Sequence, residues 1–271
     1  MLLERFLWAK ADEVAQLRQQ ERKGALPVPF GGQRGDFIAA LQRREAGVPL
    51  TVIAEFKQAS PSRGPICQSL TVEEAARQYV AAGAGALSIL TERRFFAGEL
   101  DFLGRAAANC FGTPLLRKDF IFDPLQVRAT AATPAAALLL IVALTPDAVL
   151  LRRLREQAES LGMQAVVEVC GRKDLVLARE SGARIIQVNA RDLDTLRVDR
   201  QACLELARQC PPEQGEIWIA ASGMDRREHL EEAARAGFSA ALVGTALMKD
   251  GQPGAALRRL LRGREEGHHA A

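Results

Sequence analysis

Apolar runs of strand length alternate with helical patterns along most of the chain. The strand-like runs are 51–56, 85–90, 114–117, 136–142, 164–169, 184–188, 216–221 and 240–243. Segments with helical periodicity follow them at 71–82, 98–109, 124–132, 146–161, 171–181, 199–209, 225–236 and 253–262. This alternation predicts parallel strands joined by helical crossovers. Eight such units over about 220 residues are the size expected of a (β/α)8 TIM barrel.

A doubly wound open sheet is the main alternative architecture. It usually has fewer strands and often a Gly-rich dinucleotide loop after the first strand, and no GxGxxG occurs here. Helical periodicity also covers residues 2–23, and a short helix is predicted around 37–44. We therefore expect an N-terminal helical extension over 1–48, a barrel over 49–262 and a polar tail over 263–271.

Composition and charge narrow the class of protein. The 271 residues are 48% hydrophobic and 25% charged, as in ordinary globular proteins. The net charge is only +3 and the arginines are spread over helices, which argues against nucleic acid as a partner but allows a small anionic ligand. The chain has no signal-peptide core and no membrane-length apolar run. Its five widely spaced cysteines favour reduced thiols and a cytoplasmic location.

Charged and amide side chains stand where several of the predicted strands end. Glu55 and Lys57 lie two apart, so alternation places them on one face of the first strand. Lys118 follows the third run, Glu168 interrupts the fifth and Asn189 follows the sixth. Each could be a structural pair, an edge residue or a turn cap. Because barrel active sites lie at the carboxyl ends of the strands, their coincidence favours a catalytic site.

The residue inventory limits the chemistry of this site. His268 and His269 are in the polar tail and His229 is in a predicted helix, so a Ser–His–Asp nucleophile has no suitable histidine. No His, Asp and Cys cluster has metal-ligand spacing, and we expect no metal site. Proton transfer must then depend on lysine and glutamate, whose pKa values burial moves toward neutrality.

Small residues follow the last two strands and predict a phosphate site. Ser222 and Gly223 follow the seventh run, and Gly244 and Thr245 follow the eighth. Such residues allow backbone N–H groups to approach an anion closely, and phosphate sites in these barrels often use this pair of loops. Tight turns are the alternative explanation of the glycines.

The chain resembles the indole-3-glycerol-phosphate synthase family over about residues 2–261. The resemblance rests on IAEFKQASPS at 53–62, LTERRFFAG at 90–98, LRKDFI at 116–121 with DP at 123–124, LLIV at 139–142, VVEV at 166–169, VNARDL at 188–193, ASG at 221–223 and LVGTALM at 242–248. It implies a carboxy-lyase of tryptophan biosynthesis that uses no cofactor. It also implies that the N-terminal helices lie over the barrel mouth.

The implied reaction converts 1-(2-carboxyphenylamino)-1-deoxyribulose 5-phosphate into indole-3-glycerol phosphate, carbon dioxide and water. By matched position, Lys118 is the general acid in ring closure and Glu168 serves in dehydration. Lys57 binds the substrate carboxylate or shares the acid role, and Glu55 orients Lys57 and the substrate hydroxyls. Residues that hold or enclose the substrate are implied as well: Asn189 and Arg191 in the site, Ser60, Ser222, Gly223, Gly244 and Thr245 at the phosphate end, and Phe96 and Phe120 as apolar walls.

One position departs from the family pattern. The family usually has Glu-Ser-Gly after the seventh strand, and this chain has Ala221 in place of the glutamate. A water could replace the missing acceptor, turnover could be lower, or the substrate could differ. The competing hypotheses are a catalytically impaired, phosphate-binding paralogue and another sugar-phosphate barrel enzyme such as phosphoribosylanthranilate isomerase. Lys57, Lys118 and Glu168 together argue against the isomerase. We expect a monomer or weak homodimer whose partner is a phosphorylated small molecule.

Overall fold

Within the described residues, eight parallel strands form a closed barrel. The computed structural model describes residues 2–110, 112–192 and 195–263. The strands are β1 (Thr51–Phe56), β2 (Ala86–Leu90), β3 (Leu115–Ile121), β4 (Ala137–Ile141), β5 (Gln164–Val169), β6 (Ile185–Asn189), β7 (Ile217–Ala221) and β8 (Ala240–Val243). Each strand pairs with the next along the chain, and β8 pairs with β1 to close the ring. The predicted (β/α)8 TIM barrel is confirmed.

Helices precede the barrel and connect its strands. The N-terminal helices are α1 (Leu2–Ala9), α2 (Ala11–Arg22) and α3 (Phe37–Gln42). The later helices are α4 (Val72–Ala81), α5 (Arg93–Phe96), α6 (Phe102–Ala107), α7 (Pro124–Ala131), α8 (Ala148–Ser160), α9 (Arg172–Glu180), α10 (Arg200–Gln209), α11 (Arg227–Arg235), α12 (Thr245–Met248) and α13 (Pro253–Arg262). A short hairpin pairs Ala59–Ser60 with Gly64–Pro65. None of the helices in the described ranges is long and apolar enough to cross a membrane.

Three elements differ from the sequence prediction by more than two residues. The helical pattern over 2–23 is divided at Lys10, whose side chain is buried and bonded to Asp119. Strand β3 runs to Ile121 instead of ending at residue 117, so it carries the LRKDFI motif itself. The segment predicted as one helix over 98–109 forms only the shorter α6. The chain before it makes a separate helix, α5, capped by the buried carboxylate of Glu92.

Alternation along the strands separates an inner from an outer apolar layer. Ile53, Leu116, Leu139, Val166 and Leu242 fill the barrel interior. Residues at the alternate positions pack outward against the helices, as Phe56 does beside Glu55. The inward-facing positions near the carboxyl ends of the strands are occupied by Glu55, Lys118, Glu168 and Asn189. Their side chains therefore lie at the mouth of the barrel.

A buried ionic network holds the N-terminal helices to β3. Lys10 lies 2.9 Å and Arg117 2.7 Å from the carboxylate of Asp119, and Glu13 contacts both cations. Burial alone would raise the pKa of Asp119, but the charges of Arg117 and Lys10 bring it down to about 2. The N-terminal helices are therefore anchored to the barrel at β3. The boundary between residues 48 and 49 stays a prediction, and residues 264–271 of the predicted tail lie outside the described residues.

Candidate active site

Glu55 and Lys57 form a close ion pair at the end of β1. Lys57 Nζ lies 2.6 Å from Glu55 Oε1, and Glu55 is only 2% exposed. The second carboxylate oxygen, Oε2, has no hydrogen-bond partner among the described residues. Gly244 lies directly against the pair, because a Cβ built there would be 2.1 Å from Glu55 Oε1 and 2.9 Å from Lys57 Nζ. The glycine predicted to serve a phosphate loop thus also makes room for this ion pair.

Lys118 and Glu168 form a second cluster, from β3 and β5. Lys118 Nζ is 3.5 Å from Glu168 Oε2, and Asn189 Nδ2 donates to Glu168 Oε1 at 3.0 Å. Glu168 is 1% exposed, whereas the Lys118 side chain is 19% exposed and can reach the mouth. Ionised groups this buried are costly unless they pair or do chemistry. The sequence predicted these three residues at strand ends, and the structure brings them into contact.

Gln187 belongs to the same cluster and was not predicted from the sequence. It is the neighbour of Glu168 across the β5–β6 ladder, it is fully buried, and its Nε2 donates to Glu168 Oε2. The signal that could have found it is its spacing: it precedes Asn189 by two residues on the same strand, so both face inward.

Asn189 connects the acid–base cluster to the following loops. Its Oδ1 accepts hydrogen bonds from Ser222 Oγ at 2.9 Å and from the Arg191 backbone N–H at 3.0 Å. Because a backbone N–H can only donate, the carboxamide must turn its NH2 group to Glu168. The predicted residues Asn189, Arg191 and Ser222 therefore lie in one hydrogen-bonded group.

The guanidinium of Arg191 is half-buried near other charges of the mouth. Burial lowers the pKa of Arg191, the nearby charge of Arg63 lowers it further, and Glu55 opposes both effects. Arg191 Nη1 also donates to Leu196 O at 2.7 Å. Arg63, in the hairpin turn after β1, was not among the predicted residues. The two arginines give the mouth positive charge that suits an anionic ligand.

The predicted aromatic wall contains a third ring. Phe120 and Phe96 have ring centroids 6.1 Å apart, as expected for two sides of one apolar surface. Phe6 of α1 stacks on Phe120 at 4.1 Å and meets Phe95 edge-on at 5.2 Å. The N-terminal extension thus contributes Phe6 to this wall, a long-range contact that the local pattern could not reveal.

The predicted phosphate loops have unusual backbone geometry. Ser222 and Gly223 are consecutive left-handed residues, with φ of 68° and 75°. Gly244 and Thr245 form the turn from β8 into α12, which begins at Thr245. Ser60 is buried in the hairpin, with its Oγ 3.5 Å from Ser62 Oγ. Small residues in these turns keep backbone N–H groups accessible to a phosphate.

Ala221 is inward-facing at the end of β7, 3% exposed and paired in register with Asn189. A glutamate there would stand beside the Asn189 amide. Over the described ranges, no group of three or more His, Cys, Asp or Glu side chains is arranged to hold a metal ion.

Fold and site together define a (β/α)8-barrel enzyme with lysine–glutamate pairs and an aromatic wall at the barrel mouth. The family model described as indole-3-glycerol phosphate synthase matches residues 3–260. The chain belongs to the indole-3-glycerol phosphate synthase family, the carboxy-lyases of tryptophan biosynthesis. The alternatives of an isomerase or an impaired paralogue are not favoured.

Individual relatives agree with this family. A protein of Chloroherpeton thalassium with the family's name is 42% identical over 254 residues, covering 91% of this chain and 94% of the relative. Another such protein, of Koribacter versatilis, is 40% identical over 253 residues, covering 93% of this chain and 94% of the relative. Among solved structures, 3-hexulose-6-phosphate synthase has a TM-score of 0.60 at 16% identity, covering 78% of this chain and 98% of its own; this likeness shows the fold alone.

Proposed function

We propose that the chain closes the indole ring of 1-(2-carboxyphenylamino)-1-deoxyribulose 5-phosphate, with Lys118 as the general acid. The observation that carries this proposal is the Lys118–Glu168 contact of 3.5 Å at the mouth of the barrel. An ammonium group and a carboxylate at this distance can deliver and accept protons at neighbouring atoms of one substrate. Ring closure followed by dehydration needs both functions.

In the first step, the ring carbon that bears the carboxylate attacks the ribulose carbonyl carbon. Lys118 delivers a proton to the carbonyl oxygen, which becomes a hydroxyl. Carbon dioxide then leaves, and its bonding electrons return to the ring. Lys57, held by Glu55 at 2.6 Å, binds the carboxylate before it leaves. Phe96 and Phe120 form the apolar wall against which the aromatic ring packs.

In the second step, the new hydroxyl leaves as water. Lys57 shares the acid role by protonating this hydroxyl, and Glu168 accepts the proton that the intermediate loses. The two lysines deliver two protons to the substrate, and Glu168 accepts one from it. The net uptake of one proton balances the loss of the negatively charged carboxylate as neutral carbon dioxide. Asn189 and Arg191 hold the substrate, and the turns at Ser60, Ser222, Gly223, Gly244 and Thr245 bind its phosphate. No cofactor takes part in this scheme.

The test replaces the proposed acid. Lys118→Ala should lower formation of the fluorescent indole product by a factor of about 10² or more, since a positioned general acid contributes roughly 10²–10⁴-fold. Lys173→Ala, at an exposed position of α9, is the matched control and should keep wild-type turnover. Unchanged turnover in Lys118→Ala would contradict the assignment.

The remaining expectations concern the protein's state in the cell. We propose a monomer or weak homodimer that acts in the cytoplasm on a phosphorylated small molecule and does not bind nucleic acid. Light scattering over a range of protein concentrations tests the oligomeric state, and a stable tetramer would contradict it.

A further inference from the structure

A buried carboxamide lies beside the proposed base. Gln187 is fully buried in the barrel interior, directly across the ladder from Glu168. Its Nε2 donates to Glu168 Oε2, the same oxygen that Lys118 Nζ approaches to 3.5 Å. Asn189 Nδ2 donates to the other oxygen, Oε1, at 3.0 Å. Glu168 is therefore held by three donors, from β3 and β6.

The carbonyl oxygen of the Gln187 carboxamide makes no comparable hydrogen bond. Its Oε1 is buried and has no hydrogen-bond partner among the described residues. A buried carbonyl oxygen without a donor reduces stability, and methionine fills a similar volume without a polar atom. Packing alone therefore does not explain why glutamine occupies position 187. The hydrogen bond that its Nε2 group donates to Glu168 does explain it.

The orientation of the amide depends on the charge of Glu168. Turning the Gln187 carboxamide over would place Oε1 against a carboxylate oxygen, and two acceptors repel when neither carries a proton. The orientation with Nε2 toward Glu168 is the one that a carboxylate favours. Hydrogen bonds that a charged group accepts are the strong ones, and they favour its charged form.

We propose that Gln187 is a positioning residue that keeps Glu168 ionised and aimed until it accepts a proton. The inference rests on the role of Glu168 proposed above. The Gln187 amide donates to Glu168, so it acts through that carboxylate. When the substrate gives its proton to Glu168, one hydrogen-bonded carboxylate becomes a carboxylic acid. The proton passes to solvent before the next turnover, and Gln187 is chemically unchanged.

The test uses Gln187→Met, which keeps the side-chain volume and removes the donor. Carbon-13 NMR of glutamate side-chain carboxyls follows protonation of Glu168, whose signal is assigned by its loss in Glu168→Gln. The protonation midpoint of Glu168 should rise by about one pH unit or more in Gln187→Met, because a hydrogen bond to a charged group is lost. The acidic limb of the kcat–pH profile should move in the same direction, with kcat lower by about tenfold.

Three further variants test the role of Gln187. Gln164→Met, at the amino end of the same strand as Glu168, is the matched control. It should change neither the NMR titration of Glu168 nor the kcat–pH profile. Gln187→Glu, which sets a second carboxylate against Glu168, should move the midpoint further upward. In a Glu168→Gln background, Gln187→Met should cost little additional turnover, because it has no base left to position.

A midpoint in Gln187→Met within 0.3 pH units of wild type would overturn the inference. So would equal losses of turnover in the presence and absence of Glu168. The NMR titration needs no turnover, so an inactive wild-type protein that still shows the shift would contradict the proposed function and leave the effect of Gln187 established.

Discussion

Replacement of Gly244 by alanine should disrupt the active site without unfolding the barrel. The new Cβ would lie 2.1 Å from Glu55 Oε1 and 2.9 Å from both Glu55 Cδ and Lys57 Nζ, where ordinary contacts begin near 3.4 Å. The carboxylate must therefore move by about 1 Å, and burial at 2% exposure prevents it from swinging into solvent. The φ of Gly244 is −121°, so alanine would not be forced into the left-handed region.

The expected cost follows from that displacement. A misplacement of about 1 Å in a catalytic constellation can cost about 10²-fold, which is roughly 2.7 kcal/mol of transition-state stabilisation. Overpacking should lower the free energy of unfolding by only about 1–3 kcal/mol. Steady-state kinetics by product fluorescence should therefore show kcat/KM about 100-fold lower, while circular dichroism shows a folded protein.

Gly104→Ala is the matched control for Gly244→Ala. A Cβ at Gly104 would meet nothing within 4 Å, and Gly104 lies in helix α6 at negative φ. The Gly104→Ala variant should keep the wild-type kcat/KM, and its free energy of unfolding should rise by up to about 1 kcal/mol. If kcat/KM of Gly244→Ala stayed within about threefold of wild type, the position of the Glu55–Lys57 pair would not be critical for turnover.

Two further predictions concern the surroundings of the site. The pKa of Asp119 is lowered to about 2 from 3.8, so its ionisation adds stability above pH 4 that is lost as pH falls from 4 to 2. Asp119→Asn should remove about 2 kcal/mol of this pH-dependent stability, measured by urea unfolding at several pH values. An unchanged pH dependence would contradict the stabilisation of the Asp119 carboxylate by Arg117 and Lys10. Tyr79→Phe removes the buried O–H that donates to Glu55 O at 2.9 Å. It should lower the free energy of unfolding by about 0.5–1.5 kcal/mol, and no loss in thermal unfolding would count against this bond.

Strand positions and inward-facing residues were predictable because both follow from local pattern. Two-residue alternation placed Glu55 and Lys57 on one face, and the strands predicted at 164–169 and 240–243 end where the structure ends them. Parallel strands in a barrel bring such ends together whatever the details of packing. The approximate site thus followed from the sequence.

The contacts that connect distant parts of the chain were not predictable in this way. Lys10 is 109 residues from Asp119, and the stacking of Phe6 on Phe120 joins residues that lie slightly farther apart in the chain. Local periodicity carries no information about such pairs, so the helix break at Lys10 was missed. Gln187 was overlooked for another reason: alternation gives the face of a side chain but not the atom it meets across the ladder.

Direct assay of the purified chain tests the central claim that it is an active synthase despite Ala221. Carbon dioxide release and indole fluorescence are followed in one sample with 1-(2-carboxyphenylamino)-1-deoxyribulose 5-phosphate in excess over protein. We predict repeated turnover, with carbon dioxide and indole-3-glycerol phosphate formed in equal amounts. Binding of the product without release of carbon dioxide, or conversion of phosphoribosylanthranilate instead, would contradict it.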